Sequence, residues 1–131
     1  MRWFLILPAI ALSVWPIGRA TVAADALQER LYEICHTDDA GWIGKSEKEI
    51  KANCTCKAKS ETAMATPQFR DAILKAKVYD PLLLGESAKY LKQVLTDCPP
   101  LRPLMIQAVC SDPAAPPDTC AAFKDMVSKL K

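Results

Sequence analysis

The stretch Ser46-Glu47-Lys48-Glu49-Ile50-Lys51-Ala52-Asn53-Cys54-Thr55-Cys56-Lys57-Ala58 decides the fold. Ser46 with Glu49 three residues on is a capping box: the serine oxygen accepts an orphan backbone N–H, and the glutamate reaches back. Ile50, Cys54 and Ala58 then recur at helical spacing. On a helix, residues two apart point about 200° from one another. The sulfurs of Cys54 and Cys56 therefore project from opposite sides and cannot easily bond each other. They are expected to staple this helix to two different neighbours. The competing reading of the pair is a redox couple or a soft-metal clip, since two close thiolates bind Cu(I) or Zn(II) well.

Working outward, helical periodicity continues on both sides, and no segment alternates as a strand does. Leu27, Leu31, Ile34 and Cys35 form one stripe at i, i+4, i+7 and i+8. Residues 36–45, with Asp38-Asp39, Gly41 and Gly44, break that helix. Thr66-Pro67 supplies an N-cap and a first-turn proline, with Phe69, Ile73 and Leu74 as the expected buried stripe. Asp80-Pro81 repeats the start signal, although Gly85 interrupts the turn after it. Ala88, Leu91, Val94, Leu95 and Cys98 predict a helix over 87–97, ended by Pro99-Pro100. Pro103 is expected to open a short helix to Cys110, the prolines of 111–119 to form a connector, and Cys120, Phe123, Val127 and Leu130 to line a last helix. The fold class is all-α: a compact bundle of five or six short helices cross-linked by about three disulfides.

Residues 1–24 differ from the rest. Arg2, an apolar run from Trp3 to Ile17, and small residues before Asp25 follow the plan of a secretory signal peptide, with Val22 and Ala24 at the positions read on cleavage. The run is shorter than a membrane-spanning helix requires and is interrupted by Pro8 and Pro16. The expected organisation is a signal over 1–24 and a single disulfide-bonded domain over 25–131, exported to a bacterial periplasm or the extracellular space. Arg2 and Arg19 leave with the signal, which reduces 17 basic residues to 15 against 15 acidic ones. A neutral chain carries no footprint for nucleic acid. No membrane association is expected once the signal is removed.

Six cysteines, Cys35, Cys54, Cys56, Cys98, Cys110 and Cys120, in a small exported chain read as a disulfide framework. They allow fifteen connectivities. The helix–loop–helix spacing favours joining Cys35 to Cys54 or Cys56, with the remaining member of the pair reaching the C-terminal half. The order of gaps resembles that of insect odorant-binding proteins, which carry hydrophobic small molecules in a helical cage. That family sets three residues between its second and third cysteines, where Thr55 alone stands here. The pattern assigns no family.

Little in the sequence assembles chemistry. There is no Ser-His-Asp order, no framed pair of catalytic carboxylates and no Gly-rich phosphate loop. His36 reads as a favourable charge near a helix C-terminus, and Asp38-Asp39 as a solvated turn. Asn53-Cys54-Thr55 fits a glycosylation sequon that falls inside a helix. Glu47/Lys51, Asp71/Lys75 and Asp125/Lys129 are i,i+4 pairs typical of exposed faces. The run Leu82-Leu83-Leu84, with Tyr79 and Tyr90 nearby, holds more apolar groups than one helix face can hide. It is read first as core packed on two sides, and otherwise as a groove. Trp42, between glycines, either plugs the core or makes contacts. Trp42, Tyr79, Leu82, Leu83, Leu84 and Tyr90 are therefore the candidate ligand or partner contacts.

The expected function is a non-enzymatic module that binds another protein, with no cofactor and no metal. The alternatives are a carrier of a small apolar ligand, which requires an apolar cavity of a few hundred Å3, and a copper-handling or thiol-redox protein centred on Cys54 and Cys56.

Overall fold

The computed structural model describes residues 18–131. The expected signal segment, 1–24, lies for the most part outside the described residues. Helix α1 spans Gly18–Asp38, α2 Glu47–Met64, α3 Pro67–Asp71, α4 Ser87–Asp97, α5 Leu101–Cys110 and α6 Thr119–Ser128. A π turn over Ala72–Ala76 continues α3, and a single 3-10 turn occupies Pro81–Leu84. Among the described residues the chain is all-helical and contains no strand. No helix among them is long and apolar enough to cross a membrane.

Helix α2 begins at the expected cap. The Ser46 hydroxyl accepts the Glu49 N–H at 3.2 Å. Glu49 reaches one residue further back than the capping box requires, because its Oε2 accepts the Lys45 N–H at 2.8 Å. From there α2 runs antiparallel to α1 as the spine of the molecule. Its two cysteines diverge as helix geometry demands: Cys54 bonds Cys35 in α1, and Cys56 bonds Cys98 at the end of α4. The third bridge, Cys110–Cys120, closes the α5–α6 hairpin. All six cysteines are paired, and three disulfides in so small a fold belong to an oxidising setting such as the periplasm or the extracellular space.

The core forms where these elements meet. Leu27 and Leu31 from α1, Ala58 from α2, Phe69 and Ile73, Val94 and Leu95 from α4, and Leu101 from α5 are all at most 1% exposed. Leu74, expected in the same stripe as Phe69 and Ile73, is instead 37% exposed. It lies one position past Ile73 within the π turn and so points away from the face that Phe69 and Ile73 bury. Helix α5 starts at Leu101 rather than Pro103. The proline still falls in the first turn, where its missing N–H removes no intrahelical bond.

The α1–α2 connection is pinned from several directions. The N–H groups of Trp42 and Ile43 both donate to the Asp39 carbonyl at 3.0 Å. Ile43 is fully buried, and its carbonyl accepts the Asn53 side-chain amide. That bond and the bridge on Cys54 bury the Asn53 and Cys54 side chains of the Asn53-Cys54-Thr55 sequon, although Thr55 stays exposed. At Gly44 a Cβ would sit 2.8 Å from the Ile50 nitrogen, so the loop crosses the start of α2 at a distance only glycine allows.

The three bridges should differ in worth because they close chains of different length. Chain entropy assigns about 4 kcal/mol to Cys56–Cys98, about 3 to Cys35–Cys54 and slightly less than 3 to Cys110–Cys120, following their separations of 42, 19 and 10 residues. Pairwise replacement by alanine, read by urea unfolding, should therefore destabilise most at Cys56/Cys98 and least at Cys110/Cys120. A reversed order would place the stabilisation in native-state contacts rather than in the unfolded chain.

Candidate functional site

Helix α2 should present an apolar face to α1 and α4, yet its third turn buries charge. Lys57 is 7% exposed and Glu61 is fully buried. An isolated carboxylate there would cost several kcal/mol, and the surroundings answer that cost. The Lys57 Nζ donates to Glu61 Oε1 at 2.7 Å and lies 3.3 Å from Asp39 Oδ2. The Tyr79 hydroxyl donates to Glu61 Oε2 at 2.7 Å, and the Tyr79 and Tyr90 hydroxyls are 2.6 Å apart. Trp42 Nε1–H donates to Asp39 Oδ1 at 3.1 Å. Six side chains from the α1–α2 loop, α2, the segment after the π turn, and α4 thus form one continuous network.

The network floors a cleft of about 220 Å3. Ile34, Leu91, Val94 and Met105 supply its aliphatic lining, and Asp38 and Pro81 join the network residues around it. Trp42 also borders a second hollow of about 300 Å3 against Leu104, Gln107 and Ala108 of α5. A wider hollow, about 530 Å3, is an open groove along α1 and α2 bordered by Gln28, Glu29, Glu33 and Thr55. Tyr32 is its one aromatic lining residue, and it lacks the hydrogen-bonded network of buried side chains that lines the smaller cleft.

Burial by itself would pull the Lys57 ammonium below its ordinary range. The adjacent Glu61 carboxylate, with Tyr90 and Asp39, reverses this and holds it above that range. Tyr79 is raised strongly, first by burial and then by the Glu61 charge. Tyr90 is pushed up to about 12 by the same two causes in the same order. Lys57 therefore stays a cation and both tyrosines stay neutral phenols throughout the physiological range. On the far side of the α1–α2 loop, His36 Nε2 sits 2.7 Å from Glu47 Oε1. That hydrogen bond holds the Glu47 carboxyl below the usual carboxylate range.

Of the expected contact residues, Trp42, Tyr79 and Tyr90 come together around this cleft. Leu82, Leu83 and Leu84 do not line it. They occupy one 3-10 turn, in which successive side chains fan out by about 120°, so they share no face. Leu84 is buried, Leu83 half-buried and Leu82 is 67% exposed. The Asp80 carboxylate caps that turn at the Leu82 N–H, 3.0 Å away. Asp38-Asp39 is not simply a solvated turn, because Asp39 is drawn inward by Lys57 and Trp42.

Lys57 and Glu61 are absent from the sequence-based candidates. The three i,i+4 pairs read from the sequence are all present and exposed. The signal for the fourth was positional: 57 and 61 continue the stripe begun by Ile50 and Cys54, so two opposite charges stood where apolar residues were due. Cys54 and Cys56 are both in disulfides and present no thiolate in this state. Among the described residues, no three of His, Cys, Asp and Glu converge as a metal site would require. Comparisons with protein-family models, curated proteins and solved structures find no match to the chain.

Breaking the network from one side should be costly. Glu61→Gln leaves a buried ammonium short of its counter-charge and is expected to cost about 3 kcal/mol or more. Lys57→Met with Glu61→Leu should cost less than the two single changes combined, as a double-mutant cycle would read. Additive single effects would show that the two charges are not coupled. The alkaline limb follows from the raised groups. The folded chain keeps a Tyr90 proton that the unfolded chain releases near pH 10.0, and Tyr90 itself releases near pH 12. The Lys57 contribution is likewise complete below about pH 10.5 and lost above it. Stability should hold up to about pH 10 and fall through pH 12, the Tyr90 share being on the order of 3 kcal/mol. Tyr90→Phe should remove that share of the slope.

Proposed function

We propose that this chain is an exported, non-enzymatic module that binds another protein, and that its cleft receives one anchoring side chain of that partner. The observation that carries the reading is the cleft itself: about 220 Å3 in volume, lined by Trp42, Ile34, Leu91 and Met105 together with the hydrogen-bonded Asp39, Lys57, Tyr79 and Tyr90. Binding hot spots concentrate on well-packed aromatic pockets with fixed polar groups. Small-molecule sites usually enclose about 300–1,000 Å3, so this cleft suits a single side chain better than a free hydrophobic ligand.

The state of the ionisable groups supports a binding role. A catalytic lysine needs a lowered pKa, and a tyrosine acting as a base needs the same. Here Lys57, Tyr79 and Tyr90 are all shifted upward. The network is built to hold shape and charge rather than to pass protons. The signal-like residues 1–24 and the three disulfides support export. A carrier role would draw on the exposed Leu82 and the larger hollows. The core beneath them, however, is filled by Leu27, Leu31, Phe69, Ile73 and Leu95.

Native mass spectrometry of the protein isolated from its host's exported fraction tests this. The expected result is a heteromeric protein complex that Trp42→Ala abolishes while cooperative thermal unfolding is retained. A monomer carrying a small apolar molecule would instead establish the carrier, and turnover lost on replacing His36 would establish an enzyme.

A further inference from the structure

The cleft is charged asymmetrically. Asp38 and Asp39 contribute two carboxylates to its lining, and among the described residues Lys57 is the one cation there, already bonded to the buried Glu61 behind it. Lys57 is already shared between Glu61 and Asp39, which leaves Asp38 without an ion pair among the described residues. Asp38 is also the last residue of α1. At a helix C-terminus the unsatisfied carbonyls present partial negative charge, so a carboxylate is disfavoured there and a cation is favoured. His36, the basic residue in that last turn, is turned towards Glu47 rather than to Asp38. Uncompensated negative charge therefore lies in a cleft whose lining includes the Trp42 indole, while the Tyr79 ring already faces the Lys57 ammonium, 5.4 Å from its centroid. Aromatic faces attract cations through their quadrupoles.

We propose that the side chain received by this cleft is cationic, an arginine guanidinium or a lysine ammonium on the surface of the protein partner. This rests on the partner-binding reading above and adds the chemistry of the anchor. The cationic group would meet the Asp38 carboxylate and the Trp42 ring. Its aliphatic stem would lie against Ile34, Leu91 and Met105, as long basic side chains bury their stems on apolar surface. An anionic anchor is disfavoured: to reach Lys57 it would have to displace carboxylates already bonded to that ammonium, next to Asp38.

Capped tripeptides Ac-Gly-Xaa-Gly-NH2, with Xaa arginine, lysine, norleucine or glutamate, supply the test. Each is titrated into the full-length, disulfide-intact protein, and the Trp42 indole N–H resonance, identified with Trp42→Phe, is followed by NMR. The arginine and lysine peptides should shift that resonance saturably at millimolar concentration, about three-fold or more tighter than norleucine, and glutamate should be weakest. Asp38→Asn should weaken the basic peptides about three-fold and leave norleucine unchanged, and added salt should act in the same direction. Norleucine binding as tightly as arginine would overturn the cationic anchor while leaving the partner-binding reading in place. A preference for glutamate would overturn it with the opposite sign. If no peptide moves the Trp42 resonance, the proposal fails, and the partner-binding reading is then judged by its own complex.

Discussion

A carboxylate with no access to solvent, Glu61, imposes the conditions under which the rest of the molecule is assembled. A carboxyl group so buried requires a cation and hydrogen-bond donors held around it. Lys57 supplies the cation from the preceding turn of the same helix, and Tyr79 supplies a donor from the segment after the π turn. Tyr90 from α4 and Asp39 from the α1–α2 loop complete the second layer. Each of these elements must arrive in register, so one buried charge specifies the positions of four separate pieces of chain. This gives the polar network a specifying role in addition to whatever net stability it contributes.

The disulfides make that arrangement tolerable in a small domain. Cys54 and Cys56 immediately precede the Lys57–Glu61 pair on α2, and their bridges hold α1 and the end of α4 against it. The polar contact from the Ser60 hydroxyl to Asp97 Oδ2, at 2.7 Å, reinforces the second of these junctions. With the helices tethered, less of the entropy of bringing the network together falls on its own hydrogen bonds. The cleft is the outer surface of the same assembly, so its walls inherit the rigidity of the bridges and its floor inherits the charge.

Much of this is legible in the sequence because it depends on local chemistry. The cap at Ser46, the Thr66-Pro67 start, the helix over 87–97 and the divergence of Cys54 and Cys56 all come from spacing within a few residues. Trp42, Tyr79 and Tyr90 are legible too, though Tyr79 and Tyr90 enter through the nearby leucines rather than through hydrogen bonding. The features that stay hidden depend on neighbours distant in the chain. Lys57 and Glu61 continue the Ile50–Cys54 stripe, but their spacing is also that of an ordinary surface pair. Only the cover of α4 and the segment carrying Tyr79 separates the two readings. Asp39 resembles a turn residue until Lys57 lies beside it. The leucines at 82–84 read as a core helix, and only the 3-10 turn separates their directions.

Lys57, in this account, is held as a fixed, desolvated ammonium between Glu61 and Asp39. Its Nζ resonance measured by 15N NMR at neutral pH addresses this directly. A fixed ammonium gives a slowly exchanging signal, resolved from those of the surface lysines, that persists at temperatures where theirs vanish and is lost in Glu61→Gln. A Lys57 signal that exchanges with water as fast as the exposed lysines would contradict it.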